Sequence, residues 1–182
     1  HLQRVAPGVT VWVKALGMED PRALVQSDEI DLLVAPSTRG ERSPNILSID
    51  LIEERFVCVL RKTHPAAKRT LTLARYLALS HILIAPRGQR GSYVDTALLA
   101  LGKERRIAVA VPHFLVAPYL VAETDMVLTL AERIAKRVSS HLPVRMVKPP
   151  LDLPGFTMAM MWARRKSDDA GHAWFRGCLE QA

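Results

Sequence analysis

A chain of 182 residues, 49% apolar and 24% charged, has the balance of a globular protein with one domain or two small ones, long enough to bury a core without staples. Its two cysteines, Cys58 in an apolar run and Cys178 in a late helical pattern, read as buried reduced thiols, which excludes a disulfide framework and points to the cytoplasm. The net charge of +7 is spread over Arg39 and Arg42, residues 103–106, Lys136 and Arg137, and residues 164–166, with too few aromatics among them for a nucleic-acid platform, so it reads as solvated surface.

No apolar run approaches the roughly 18 residues of a membrane span, and no signal peptide is visible. The first residue is His, so a piece of a longer chain is expected. Residues 1–8, HLQRVAPG, read as a helix tail broken by Pro7 and Gly8, as if something lay upstream, and 9–16, VTVWVKAL, alternates as a strand. Asp20 and Pro21 open a short helix over DPRALVQSDE. Residues 31–35, DLLVA, form a buried strand pattern, 36–45 a polar loop, and 46–52 and 54–61 two more strands. HPAAKRT is a turn, after which Thr70 or Thr72 caps the helix LTLARYLAL.

A regular alternation follows. Strand 81–85 precedes helix 92–101, strand 107–111 precedes helix 114–123, and strand 126–130 precedes helix 131–140, with a last strand at 144–148. Short buried strands alternating with helices predict an α/β fold with a mostly parallel sheet covered on both faces. KPPLDLPG interrupts the rhythm; 156–162, FTMAMMW, is a final strand, and SDDAGHAWFRGCLEQ a final helix capped by Ser167 or Asp168. Breaks near 78–80 and 148–153 divide the chain into a discontinuous subdomain, 1–79 with 149–182, and an inserted one, 80–148. Two crossings of this kind make a cleft, where small ligands sit.

The stretch LIAPRGQRGSYVDTALLALG concentrates the candidate chemistry. It matches neither G-x-x-x-x-G-K-[ST] nor G-x-G-x-x-G, so no nucleotide fingerprint is met. Arg87, Gly88, Gln89 and Arg90 nevertheless lie between a strand's carboxyl end and a helix start, where free N–H groups and the helix dipole favour an anion. The plain alternative is an ordinary turn with exposed arginines. Ser92 and Asp95 form a Ser-x-x-Asp pattern like a capping box. His113, Phe114 and Leu115 follow the next strand, Thr129 ends the third, and Ala35, Pro36 and Ser37 end a strand in the other half. Convergent strand ends are where open α/β sheets bind ligands. Catalytic and metal signatures are missing: there is no H-E-x-x-H, C-x-x-C or G-x-S-x-G, and the six histidines are dispersed. No catalytic residue, metal or cofactor is expected, and no enzyme.

The order of several phrases resembles the effector-binding domain of LysR-type transcriptional regulators. These are APGVTVWV, LVQSDEIDLLVAP, ERFVCVLRKTHPAA, VDTALLALGKERRIAVAVPHF, LVAETDMVLTL, PPLDLPGFTMAMMW and WFRGCL, which together cover nearly the whole chain. The resemblance implies a two-subdomain fold like the type 2 periplasmic binding proteins. It also implies a cytoplasmic bacterial sensor of a small, carboxylated or aromatic effector, a homodimer or homotetramer, and DNA binding through an N-terminal helix-turn-helix not present here. The family's first effector-domain strand and helix are expected to be missing too, and Ala131 stands where many members carry Pro. Mapped by position, the family's pocket falls on Arg87, Gly88, Gln89, Arg90, Ser92, His113, Phe114, Leu115, Thr129, Ala35, Pro36 and Ser37. A dimer interface is expected along strand 9–16 and helix 114–123. Two other readings share the fold, a periplasmic solute-binding protein of a transport system and an enzyme such as a dehydratase. An export signal in the complete gene would favour the first and turnover of a candidate acid the second.

Overall fold

The computed structural model describes residues 1–17, 19–37 and 43–181. In chain order these carry α1 (Leu2–Val5), α2 (Pro21–Gln26), β1 (Leu33–Pro36), β2 (Ile46–Glu54), β3 (Phe56–Arg61), a 3-10 turn (Pro65–Lys68) and α3 (Leu73–Ala78). There follow β4 (Ser80–Ile84), α4 (Tyr93–Leu99), β5 (Arg106–Val111), α5 (Ala117–Glu123), β6 (Val127–Ala131), α6 (Glu132–Ser139) and β7 (Val144–Val147). The chain closes with β8 (Phe156–Ala163), a second 3-10 turn (Arg164–Lys166) and α7 (Ala170–Glu180).

The chain divides into two compact units, His1–Glu53 with Phe156–Ala182, and Glu54–Gly155. The sequence puts the crossings near 79–80 and 148–149, and both of those points fall inside the second unit. Residues 54–79 join that unit because β3 is hydrogen-bonded there on both sides, to β6 and to β7.

The first unit is built on a three-stranded sheet of order β1-β8-β2, with β1 and β8 antiparallel. The period of a strand is two, so Ala159, Met161 and Ala163 share one face of β8, and they form the core with Val25 of α2 and Leu33 of β1. Asp20 caps α2 by accepting from the Arg22 N–H, with Pro21 in the first turn as expected. Asp169, rather than Ser167 or Asp168, caps α7, accepting from the His172 N–H at 2.6 Å, because the second 3-10 turn takes up residues 164–166 first. α7 is then tied down by His172, whose Nε2 lies 2.9 Å from the Asp31 carbonyl, and by Arg176, whose guanidinium stacks 4.5 Å from the Trp162 ring.

Residues 9–16 do not form the expected strand. A strand is held by a neighbour's backbone, and no described strand pairs with this segment, so Trp12 and Val13 stand 91% and 92% exposed. The expected loop over 36–45 begins inside β1, with the Ser37 N–H donating to the Thr157 carbonyl, and its residues 38–42 lie outside the described residues.

The second unit has a five-stranded sheet of order β5-β4-β6-β3-β7. The strand–helix alternation correctly predicts its parallel part, in which β4 pairs with β5 on one side and β6 on the other. The sheet is mixed rather than mostly parallel, because β3 runs antiparallel to both β6 and β7. Side chains alternate across it: Cys58, Leu60 and Val127 face one core with Tyr76 of α3 and Leu98 of α4, while Val59, Leu128 and Leu130 face another with Val121 of α5 and Ala135 of α6. Helices therefore cover both faces, which leaves the strand ends and the connecting turns to carry chemistry.

Candidate functional site

β4 and β5 run side by side in parallel, Ile84 beside Val111, and the Ala85 N–H donates to the Val111 carbonyl at 2.8 Å. Two of the predicted turns therefore leave neighbouring strands at the same carboxyl edge. The first holds Arg87, Gly88, Gln89 and Arg90, all exposed. It doubles back through Gly88, whose φ of 68° suits glycine and whose N–H donates to the Ala85 carbonyl. The Gln89 carboxamide oxygen accepts from the Arg87 N–H at 3.0 Å. The second turn holds His113, Phe114 and Leu115, which precede α5 rather than belong to it; the two apolar side chains are 43% and 67% exposed.

Ser92 and Thr129 have their hydroxyls already engaged. Ser92 is the cap of α4: its Oγ accepts from the Val94 N–H at 3.2 Å and from Arg105, and donates to Asp95 Oδ2 at 2.8 Å. The capping box expected from Ser-x-x-Asp is present in altered form, with the two side chains bonded to each other. Arg105 locks the arrangement through Nε to Asp95 Oδ1 at 2.7 Å. Burial pushes the Asp95 carboxyl up, but the Arg105 and Ser92 hydrogen bonds outweigh it and hold the group below the usual carboxylate range. The negative charge that the start of α4 invites is thus supplied by its own first turn.

Thr129 lies in mid-strand rather than at the end of β6. Its Oγ1 is 2.8 Å from the Tyr76 hydroxyl and 3.4 Å from Cys58 Sγ. Burial pushes both the Cys58 thiol and the Tyr76 phenol up to about 12, so neither ionises near neutral pH and Cys58 offers no thiolate. His81 packs edge-on against Tyr76, centroids 4.5 Å apart, and its Nε2–H donates to the Tyr76 carbonyl at 2.9 Å. Burial brings His81 down to about 4, which keeps it neutral.

Sequence reasoning misses Arg105, Tyr76 and His81. Arg105 sits in the run KERR and reads as solvated, yet its side chain is 2% exposed. The one available signal is its spacing after the Ser-x-x-Asp pair. Ala35, Pro36 and Ser37 belong to the first unit, where Ala35 pairs with Ala159 and Pro36 with Met158. Among the described residues there is no group of three or more His, Cys, Asp or Glu that could hold a metal, and no helix is long and apolar enough to cross a membrane.

Comparison with known proteins gives this arrangement a context. The family model described as the LysR substrate binding domain matches residues 1–182. The transcriptional regulator SyrM of Rhizobium meliloti (strain 1021) is 35% identical over 161 residues, which are 87% of this chain and 48% of that protein. Among solved structures, a protein of Pseudomonas aeruginosa described as the probable transcriptional regulator PA0477 superposes with a TM-score of 0.89 at 28% identity. The match covers 99% of this chain and 60% of that one. The regulatory domain of MexT, a transcriptional activator in the same organism, superposes with a TM-score of 0.82 at 26% identity over 99% of this chain and 88% of that one. The chain spans about half the length of the curated relatives it matches.

Proposed function

The chain belongs to the LysR substrate-binding-domain family, and from that premise we propose that it senses a small effector for a DNA-binding transcriptional regulator. The observation that carries the reading is the pair of exposed turns, 86–91 and 113–115, on adjacent parallel strands above a fixed hydrogen-bonded base. The rule that α/β sheets take ligands at the carboxyl ends of their strands supports the same place. Arg87 and Arg90 supply charge for a carboxylate, Gly88 lets backbone approach it, and Gln89 and His113 give polar contacts. Phe114 and Leu115 give apolar area for an aromatic or aliphatic body. Ser92 serves by fixing the start of α4 after the first turn, and Thr129 is a structural neighbour rather than a contact, since their hydroxyls are engaged with Asp95, Arg105, Tyr76 and Cys58.

The effector acts by binding one conformational state better than another, which is the condition for any shift of population. DNA contact belongs to other parts of the whole regulator, and its place of work is the cytoplasm. That the relatives are transcription regulators supports this reading over solute transport. A second copy of the chain buries the exposed apolar residues around Trp12 and Val13 and along α5, where Tyr119 is 61% exposed.

Calorimetry with a panel of aromatic and aliphatic carboxylates tests the reading. A charge-assisted hydrogen bond is worth about 1.5–3 kcal/mol, so Arg87→Ala weakens a genuine ligand by at least about tenfold. Undiminished affinity in both Arg87→Ala and Arg90→Ala would remove the loop from the site.

A further inference from the structure

The strand at the far side of the second unit's sheet carries features that effector sensing does not use. Among the described residues β7 is an edge strand, paired only with β3. Along it runs a groove of about 330 Å³, walled by residues 67–71 on one side and 145–148 on the other. Its floor is apolar, with Ala67 and Leu71 buried and Val147, which packs against the same core, partly covered; Met146 contributes its backbone, its side chain packing on the sheet's other face. Its rim carries Lys68, Arg69, Arg145 and Lys148, all exposed, and none of the lining residues is acidic. None of these four cations forms an ion pair among the described residues, whereas Arg61, Arg105, Arg133, Lys136, Arg165 and Lys166 all do.

The backbone adds to this. The Lys62 N–H donates to the Pro143 carbonyl, which fixes the antiparallel alternation: residues 145 and 147 turn their amide groups toward β3, and Met146 turns its own away from it. The Met146 N–H and C=O therefore point away from β3, at the open edge of the sheet. A strand edge, an apolar floor and a rim of four positive charges match an extended peptide whose acidic residues alternate with apolar ones. A free phosphate has no use for the floor or the edge, and duplex DNA is too wide to lie along one strand.

We propose that the groove between residues 67–71 and β7 docks an acidic, apolar-alternating segment of a partner protein as an added strand. The surface is separate from the turns at 86–91 and 113–115, which lie next to the opposite edge strand, β5.

Fluorescence anisotropy at low salt tests it with a labelled 12-residue peptide alternating Glu with Leu and Val. The same measurement uses a Lys-for-Glu peptide, a DNA duplex of equal charge and inorganic phosphate as competitors. The double variant Arg145→Glu, Lys148→Glu weakens the acidic peptide by about tenfold or more, and Lys68→Glu, Arg69→Glu on the opposite wall does the same. The control Lys103→Glu, Arg137→Glu makes the same change in net charge outside the groove and leaves affinity within about twofold. The proposal is overturned if the control loses as much as the groove variants. It is also overturned if DNA or phosphate displaces the peptide at equal charge concentration, or if no binding is seen up to about 1 mM. In that last case the charges serve only to keep the edge from pairing with other copies.

Discussion

Arg105 shows how one side chain can fix a loop without touching a ligand. It is 2% exposed and bonded to Asp95 and Ser92, so its removal and that of its partner are unequal. Asp95, 27% exposed, can turn to water if Arg105 is lost. Asp95→Ala instead strands a buried guanidinium, and urea unfolding should show a loss of about 3 kcal/mol, larger than for Arg105→Ala. Because the Asp95 carboxyl is held below its usual range, its contribution is present above about pH 4 and fades as pH falls further. His81 adds a separate acid sensitivity. Its Nε2–H is committed to Tyr76 and its buried Nδ1 has no partner, so protonation would leave an N–H with no acceptor. With a folded value of about 4 against an unfolded one of about 6.5, the unfolded chain takes up a proton first as pH falls. Stability is full above about pH 6.5 and drops by about 2 kcal/mol from pH 7 to pH 5 on this account alone. His81→Gln, which retains a donor for the Tyr76 carbonyl, removes that part of the slope in urea titrations at the two pH values; an unaltered slope would contradict the assignment. At this scale Ser92 is legible as a cap from Ser-x-x-Asp, whereas Arg105 is not, since burial of one cation in a charged run depends on neighbours distant in sequence.

Elements were legible where local pattern decides them. The alternation from β4 to α6 follows from short apolar runs and helical spacing, and the parallel pairing of β4, β5 and β6 follows from the alternation. The antiparallel insertion of β3 did not, because a strand's direction in a sheet is set by where the chain returns, not by its own residues. That same strand moves residues 54–79 into the second unit. Residues 9–16 carry a strand's alternation, but a pattern only becomes a strand when another backbone lies beside it. Gly155 marks a place where two segments come unusually close: a Cβ there would lie 2.5 Å from the Glu54 carbonyl oxygen. Backbone yields less than a flexible side chain, so Gly155→Ala should cost about 2 kcal/mol in thermal or urea unfolding. A neutral result would mean that the 54–55 turn has room to shift.

For the molecule as a whole, family and fold could be read from phrases in order, and the turns at 86–91 and 113–115 from strand-end logic. Which hydroxyls remain free for a ligand could not be read, because Ser92 and Thr129 are claimed by Arg105, Tyr76 and Cys58 from other parts of the chain. Self-association also belongs to this scale: sedimentation should show a dimer that Tyr119→Glu shifts to monomer, and an indifferent variant would take α5 out of the contact. The central claim, that the turns on β4 and β5 seat the effector, is tested most directly by amide hydrogen exchange with and without a carboxylate ligand found by calorimetry. The account predicts slowed exchange in residues 86–92 and 113–116 and none in 67–71 or 145–148. Protection confined to other segments, with both turns exchanging as in the free protein, would contradict it.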